Sequence, residues 1–199
     1  MSDQGTQGLL SPFLRRQRMA AVRPWLQGSV FDFGCGSGAL SQYVDAAGYC
    51  GYDIDAASLA RARALYPQHR FVGVQPDAEQ FDTVVSLAVI EHCDDPAAFL
   101  AHLAALARPG GRVALTTPHP AFEFIHDLGA RIGMFSRDAS EEHEALLDRK
   151  ALHALAAGLG LPVLQYRRFL FGANQLIVLQ RPRPGWQQPG ASSLRGRAP

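Results

Sequence analysis

Val30-Phe31-Asp32-Phe33-Gly34-Cys35-Gly36-Ser37-Gly38-Ala39-Leu40 is the stretch whose reading decides the fold. A short apolar strand ends in a carboxylate, breaks into three alternate glycines and leads into a helical pattern. Glycine at every second position permits positive φ and lets a ligand touch main-chain atoms with no Cβ between. Outward from this loop, strand and helix patterns alternate. Strands are expected at Val30–Phe33, 49–53, 71–74, Phe81–Leu87 and 112–116. Helices are expected at 39–47, Ala56–Leu65, 96–107 and 148–158, with another over 9–26 where Ser11-Pro12 gives a start signal. Asp55 and Ser58 are candidate caps for the second of these, Asp94 and Asp95 for the third. The run Phe81–Leu87, with Val84 and Val85 at its centre and no period-2 alternation, is read as a strand buried on both faces. Such alternation implies right-handed crossovers and a parallel sheet covered by helices.

Past residue 117 the pattern changes. Residues 117–140 are irregular and aromatic, with Phe122, Phe124 and Phe135, and two final strands at 162–171 and 175–180 read as a hairpin through Gly172-Ala173-Asn174. The chain has 199 residues, 47% of them hydrophobic, and a net charge of +1, enough for one core and without the basic face of a nucleic-acid binder. A single domain is expected over 9–181, preceded by a flexible 1–8 and followed by a disordered, Pro-, Gly- and Arg-rich 182–199. Three cysteines without a CxxC pair point to a reduced compartment and away from structural zinc. With no membrane-length apolar run and no signal-peptide layout, a cytoplasmic location is expected.

Two ligand readings fit the loop. Gly34, Gly36 and Ala39 satisfy the dinucleotide fingerprint G-x-G-x-x-G/A, whereas Asp32, Gly34, Gly36 and Gly38 satisfy D-x-G-x-G-x-G. Asp32 would repel a diphosphate but suit a cationic sulfonium and ammonium. Asp53, in Gly51-Tyr52-Asp53-Ile54-Asp55, places a carboxylate where it can accept both hydroxyls of a ribose, and Ile54 beside it can pack on a base. An NAD(P)-dependent oxidoreductase therefore stays open at this point. It lacks a Tyr-x-x-x-Lys signature, Lys150 being the only lysine.

The second pattern resembles the class I S-adenosylmethionine methyltransferases. The stretch from Phe81 to His92 is similar to their FDVVVSxxVLEH strand, Ala98-Phe99-Leu100 and Leu106-to-Gly111 to their FLxxLxxxLKPGG helix and turn, and Val113-to-Pro120 to LVLTTPNP. The resemblance implies an α/β fold, a Rossmann-like doubly wound seven-stranded sheet with a reversed last strand, an N-terminal helix and a cap after strand 5. It implies S-adenosylmethionine as cofactor, held by Asp32, Gly34, Cys35, Gly36, Asp53, Ile54, Leu87 and His92. Gln75 or Asp77 would take the adenine amine, although the link from strand 3 to strand 4 is shorter than in the family. Arg16 or Arg18 would meet the methionine carboxylate.

The cap would face a small-molecule methyl acceptor, apolar with one polar handle, as in quinone-type and other natural-product O-methyltransferases. His119, or else His126 or His143, is then the candidate general base. Each histidine also reads as an ordinary solvated or packing residue, and without HxH or HExxH spacing no metal site is expected. The missing Asn/Asp-Pro-Pro-Tyr signature after strand 4 argues against amino-group methylation of nucleobases or glutamine. A non-catalytic partner protein keeping the same fold is the remaining alternative.

Overall fold

A computed structural model describes residues 11–120 and 147–186. The readings placed on 1–8, on most of 182–199 and on the cap beyond residue 120 lie outside the described residues, as do His126 and His143. Among the described residues seven strands, β1 (Val30–Phe33), β2 (Tyr49–Tyr52), β3 (Arg70–Val72), β4 (Phe81–Leu87), β5 (Ala107–Pro118), β6 (Val163–Phe169) and β7 (Asn174–Gln180), make one sheet in the order β3-β2-β1-β4-β5-β7-β6. β1 to β5 are parallel, and β7 runs antiparallel between β5 and β6. The chain reverses its direction of progress between β1 and β4, which opens a crevice at their carboxyl ends.

Among the described residues four α-helices, α1 (Ser11–Val22), α2 (Ala56–Leu65), α3 (Pro96–Leu106) and α4 (Arg149–Gly158), cover the sheet. The two-residue strand period sorts the core. Phe31 and Cys50 pack with Leu100 and Leu103 of α3 and Leu152 of α4 on one face. Val30 and Tyr49 pack with Met19 and Val22 of α1 and Leu59 of α2 on the other. Asp55, Asp95 and Asp148 cap α2, α3 and α4, the first two each accepting from two backbone N–H groups of the first turn and Asp148 from that of Ala151. Such caps contribute about 1 kcal/mol each.

Three local expectations are corrected. Residues 39–47 form two 3₁₀ turns, Ala39–Tyr43 and Ala46–Gly48, because β-branched Val44 sits extended at φ −133° between them. β5 begins at Ala107 rather than 112: Ala107 pairs with Phe81, and the Pro109-Gly110-Gly111 turn is carried as a register shift inside the strand. The final hairpin turns over Leu170 and Phe171, both at positive φ (52° and 53°), so β6 ends at Phe169 and β7 starts at Asn174. Arg181 N–H bonds Gly111 O at 2.9 Å and its guanidinium reaches the carbonyls of Ala105 and Ala107, which ties the end of β7 to the start of β5.

The link between β3 and β4 contains no helix. His102 of α3 covers that place, its ring edge-on to Phe33 (6.0 Å) and its Nε2 2.6 Å from Gln75 Oε1.

Candidate active site

The glycine loop is fixed to β2 at three points. Gly34 N–H and Cys35 N–H both donate to Tyr52 O (2.8 and 2.9 Å), and Gly36 N–H donates to Asp53 Oδ2 (2.7 Å). Asp53 Oδ1 accepts from Asp55 N–H at 2.9 Å, so the carboxylate is oriented from both sides. Gly34, Gly36 and Gly38 have φ of 75°, 53° and 76°. A Cβ at Gly38 would lie 2.6 Å from the Phe71 ring, and one at Gly34 2.8 Å from Val89 Cγ2, whereas one at Gly36 meets nothing within 4 Å. Gly34 and Gly38 are therefore needed for packing; Gly36 alone presents bare backbone to open space.

That difference gives a paired prediction. Gly38→Ala is expected to cost roughly 2–4 kcal/mol of stability, from overpacking plus a left-handed backbone. Gly36→Ala is expected to cost only about 1–2 kcal/mol of strain while weakening ligand binding most. Urea unfolding and ligand titration of both variants separate the roles; equal stability losses would contradict the assignment.

Asp32 is buried on the α1 side of β1, and Tyr49 donates its hydroxyl to Asp32 Oδ2 at 2.7 Å. Burial raises the Asp32 carboxyl to about 7; the Tyr49 hydrogen bond opposes the rise and the nearby Asp53 charge adds to it. Burial, then Asp32 and Asp53, push the Cys35 thiol up, so it stays protonated and is no nucleophile. Tyr49 was missed by motif reading. Strand parity could have found it: Asp32 pairs with Gly51, and Tyr49 lies two residues before Gly51 on the same face.

On the β2–β3 side of the crevice, Ile54 is 86% exposed and Val74 80%, an apolar pair at the ends of neighbouring strands. Gln75 is engaged by His102, and Asp77 is exposed. Leu87 closes β4 half-buried, next to Ala88 at φ 58°.

The opposite half is polar. α1 crosses the carboxyl ends of the strands with Arg15 Nη1 3.4 Å from Ser37 Oγ in the glycine loop and Arg18 Nε 2.9 Å from Asn174 Oδ1 at the start of β7. Arg15 and Arg16 are both exposed, and of the two it is Arg15 whose hydrogen bond reaches the loop. Glu91 is buried and accepts from Thr117 Oγ1 at 2.9 Å. Burial raises its carboxyl, opposed by its own backbone N–H, Thr117 and the Arg18 charge. Burial lowers Arg18, opposed by Glu91. His92 is exposed in the turn Ile90–His92.

His119 follows β5, with its N–H on Ala173 O (2.9 Å). Burial, then the Arg168 charge, hold its imidazole below the ordinary 6.5, against an opposing Asp148, so it is neutral at pH 7. Of the three candidate histidines it alone is described. Among the described residues no group of three His, Cys, Asp or Glu is placed to hold a metal, and no helix is long and apolar enough to cross a membrane.

The residues present fit a nucleoside with a cationic tail. Open backbone at Gly36 lies beside the Asp53 carboxylate, the apolar side chain of Ile54 stands next to it, and two carboxylates flank the loop.

Comparison with known proteins agrees. Residues 9–166 match the family model described as "Methyltransferase domain". The ubiquinone biosynthesis O-methyltransferase of Paracidovorax citrulli is 34% identical over 161 residues, 71% of this chain and 67% of that protein. The enzyme of the same name from Parvibaculum lavamentivorans is 31% identical over 108 residues, and the match spans only 43% of its length. In fold, the chain is similar to the magnesium protoporphyrin IX methyltransferase of Synechocystis solved with bound SAH, at TM-score 0.66 and 21% identity, covering 85% of this chain and 84% of that one. The chain spans less than half the length of several of the curated relatives it matches. With most of its length matched by the family model, and its sheet order and glycine loop those of the class I architecture, this chain belongs to the methyltransferase domain family.

Proposed function

We propose that the protein transfers the S-methyl group of S-adenosylmethionine to an oxygen atom of a small, largely apolar acceptor. The observation that carries the reading is the Asp53 carboxylate held on Gly36 N–H beside open backbone, at the switch point of a methyltransferase-family sheet. Asp53 would take the ribose hydroxyls and Ile54 the adenine face. When bound, the cofactor supplies an activated methyl with a sulfonium leaving group. What is left to the chain is orientation and water exclusion, worth up to about 7–11 kcal/mol of barrier.

Oxygen as acceptor is supported by the O-methyltransferase names of the relatives. It also suits the polar half of the crevice, where Arg18, Glu91, Thr117 and Asn174 make a hydrogen-bonding wall beside His119. A neutral imidazole at pH 7 is the protonation state a general base needs. His119 would receive the acceptor's hydroxyl proton as the oxygen–methyl bond forms and the sulfonium carbon–sulfur bond breaks. His126 and His143 remain candidates for the same role.

The test is transfer of labelled methyl to a panel of catechols, hydroxyquinols and carboxylates, with aliphatic amines as controls. Turnover on the oxygen acceptors alone supports the reading, and turnover on the amines alone overturns it. His119→Ala is expected to lower turnover roughly a hundredfold. A loss below about tenfold would remove His119 from the mechanism.

A further inference from the structure

The Tyr49 hydroxyl reaches Asp32 only because of where β2 puts it. Tyr49 and Gly51 project on the same face as Asp32, and Gly51 is the direct strand partner of Asp32. A Cβ at Gly51 would lie 3.0 Å from the Tyr49 hydroxyl, 3.0 Å from Cys35 Sγ and 2.8 Å from the Phe71 ring. Glycine there opens the passage through which the phenol crosses beneath the glycine loop. The ring is held by edge contacts with His69 (5.5 Å) and Phe71 (5.6 Å), and Tyr49 is 2% exposed, as is Asp32. A hydroxyl so confined has one direction to donate.

We propose that Tyr49 is a positioning residue for the methyl donor: it fixes the Asp32 carboxylate under the glycine loop as the anionic counterpart of the donor's sulfonium, so that the site tells the charged donor from its uncharged thioether product through Asp32. The proposal rests on the reading of the crevice as a S-adenosylmethionine site. It goes beyond that reading by naming how donor and product are distinguished.

The groups that bear on Asp32 are few. Tyr49 comes from β2, Asp53 from its end and Cys35 from the loop; the β4 partner, Val85, carries no charge, and His69 meets the edge of the Tyr49 ring while its Nε2 lies 3.1 Å from Val44 O. Asp32 titrates near 7, because burial and the Asp53 charge hold the proton on while the Tyr49 hydroxyl favours its loss. A cation in the crevice favours the ionised carboxylate, so donor binding at or below neutral pH expels a proton. Donor affinity therefore falls as pH drops through about 7. The product, without a charge on sulfur, is less affected. Both ligands share an amino group, whose titration cancels in the ratio of their affinities.

The experiment is binding of S-adenosylmethionine and S-adenosylhomocysteine by calorimetry between pH 5.5 and 8.5, on the wild type, Tyr49→Phe and Asp32→Asn. In the wild type the preference for the donor is expected to rise about tenfold across this range, with proton release on donor binding near neutral pH. Tyr49→Phe removes the hydrogen bond that favours the carboxylate. Its transition should move up by about one pH unit, weakening the donor roughly five- to tenfold at pH 7 and little at pH 8.5. Asp32→Asn should leave a donor-to-product ratio that does not change with pH. A Tyr49 that served packing alone would lower both affinities together at every pH, and that result overturns the proposal. So does a pH-independent wild-type ratio, which leaves the cofactor reading intact. Should Tyr49→Phe fail to fold, the flat or sloping ratio of Asp32→Asn against wild type decides the charge discrimination. Binding of neither ligand overturns both readings.

Discussion

Asp53→Ala is expected to weaken S-adenosylmethionine binding by roughly 10²–10⁴-fold, through two charge-assisted hydrogen bonds to a ribose diol at about 1.5–3 kcal/mol each. The same change frees Gly36 N–H, which Asp53 Oδ2 holds at 2.7 Å, so the loop loses its orientation along with the ligand contact. Asp53→Asn separates the two contributions. An amide oxygen can still accept from Gly36 N–H, but without the charge, and a smaller loss of about 10- to 50-fold is expected. Because α2 takes its cap from Asp55 and not from Asp53, helix stability should be almost untouched in either variant. A large drop in urea midpoint for Asp53→Asn would show that the residue serves the fold more than the ligand.

The second large effect concerns Asp32 and stability. Folding raises this carboxyl from an ordinary 3.8 to about 7. A group raised in this way adds stability below its unfolded-state pKa and loses it as pH climbs through the folded value. Across that window the ionising carboxyl costs the ligand-free protein up to about 4 kcal/mol. Asp32→Asn keeps an oxygen for the Tyr49 hydroxyl and has no charge to bury. It is expected to be more stable than wild type by roughly 2–4 kcal/mol at pH 8 and equal to it near pH 4, in urea unfolding without ligand. Stability at pH 8 is thus given up for a buried anion at the donor site, a trade common where function needs an unfavourable group. A variant less stable than wild type at pH 8 would mean that Asp32 is held ionised by contacts stronger than its burial penalty.

Features set by local chemistry were legible from the sequence. β1, α2 and β4 have the expected bounds, since an apolar run or an Asp cap defines each without help from the rest of the fold. Gly34, Gly36, Asp53 and Ile54 likewise stand around one crevice, because strand ends and a glycine loop suffice to bring them together. What depends on register or on helix azimuth was not legible. Tyr49 meets Asp32 only through the Asp32–Gly51 pairing, and α1 presents Arg15 to Ser37 only through the rotation at which Met19 and Val22 dock. The 39–47 segment has helical composition, yet extended Val44 divides it. The Leu170-Phe171 turn could not be read from composition, because neither side chain favours positive φ.

Calorimetric titration at pH 8 with S-adenosylmethionine, S-adenosylhomocysteine and NAD, on the wild type and Asp53→Ala, tests the central claim most directly. The account predicts micromolar binding of the first two, about −8 kcal/mol, its loss in the variant, and no binding of NAD. Binding of NAD, or unchanged S-adenosylmethionine binding by Asp53→Ala, would contradict it.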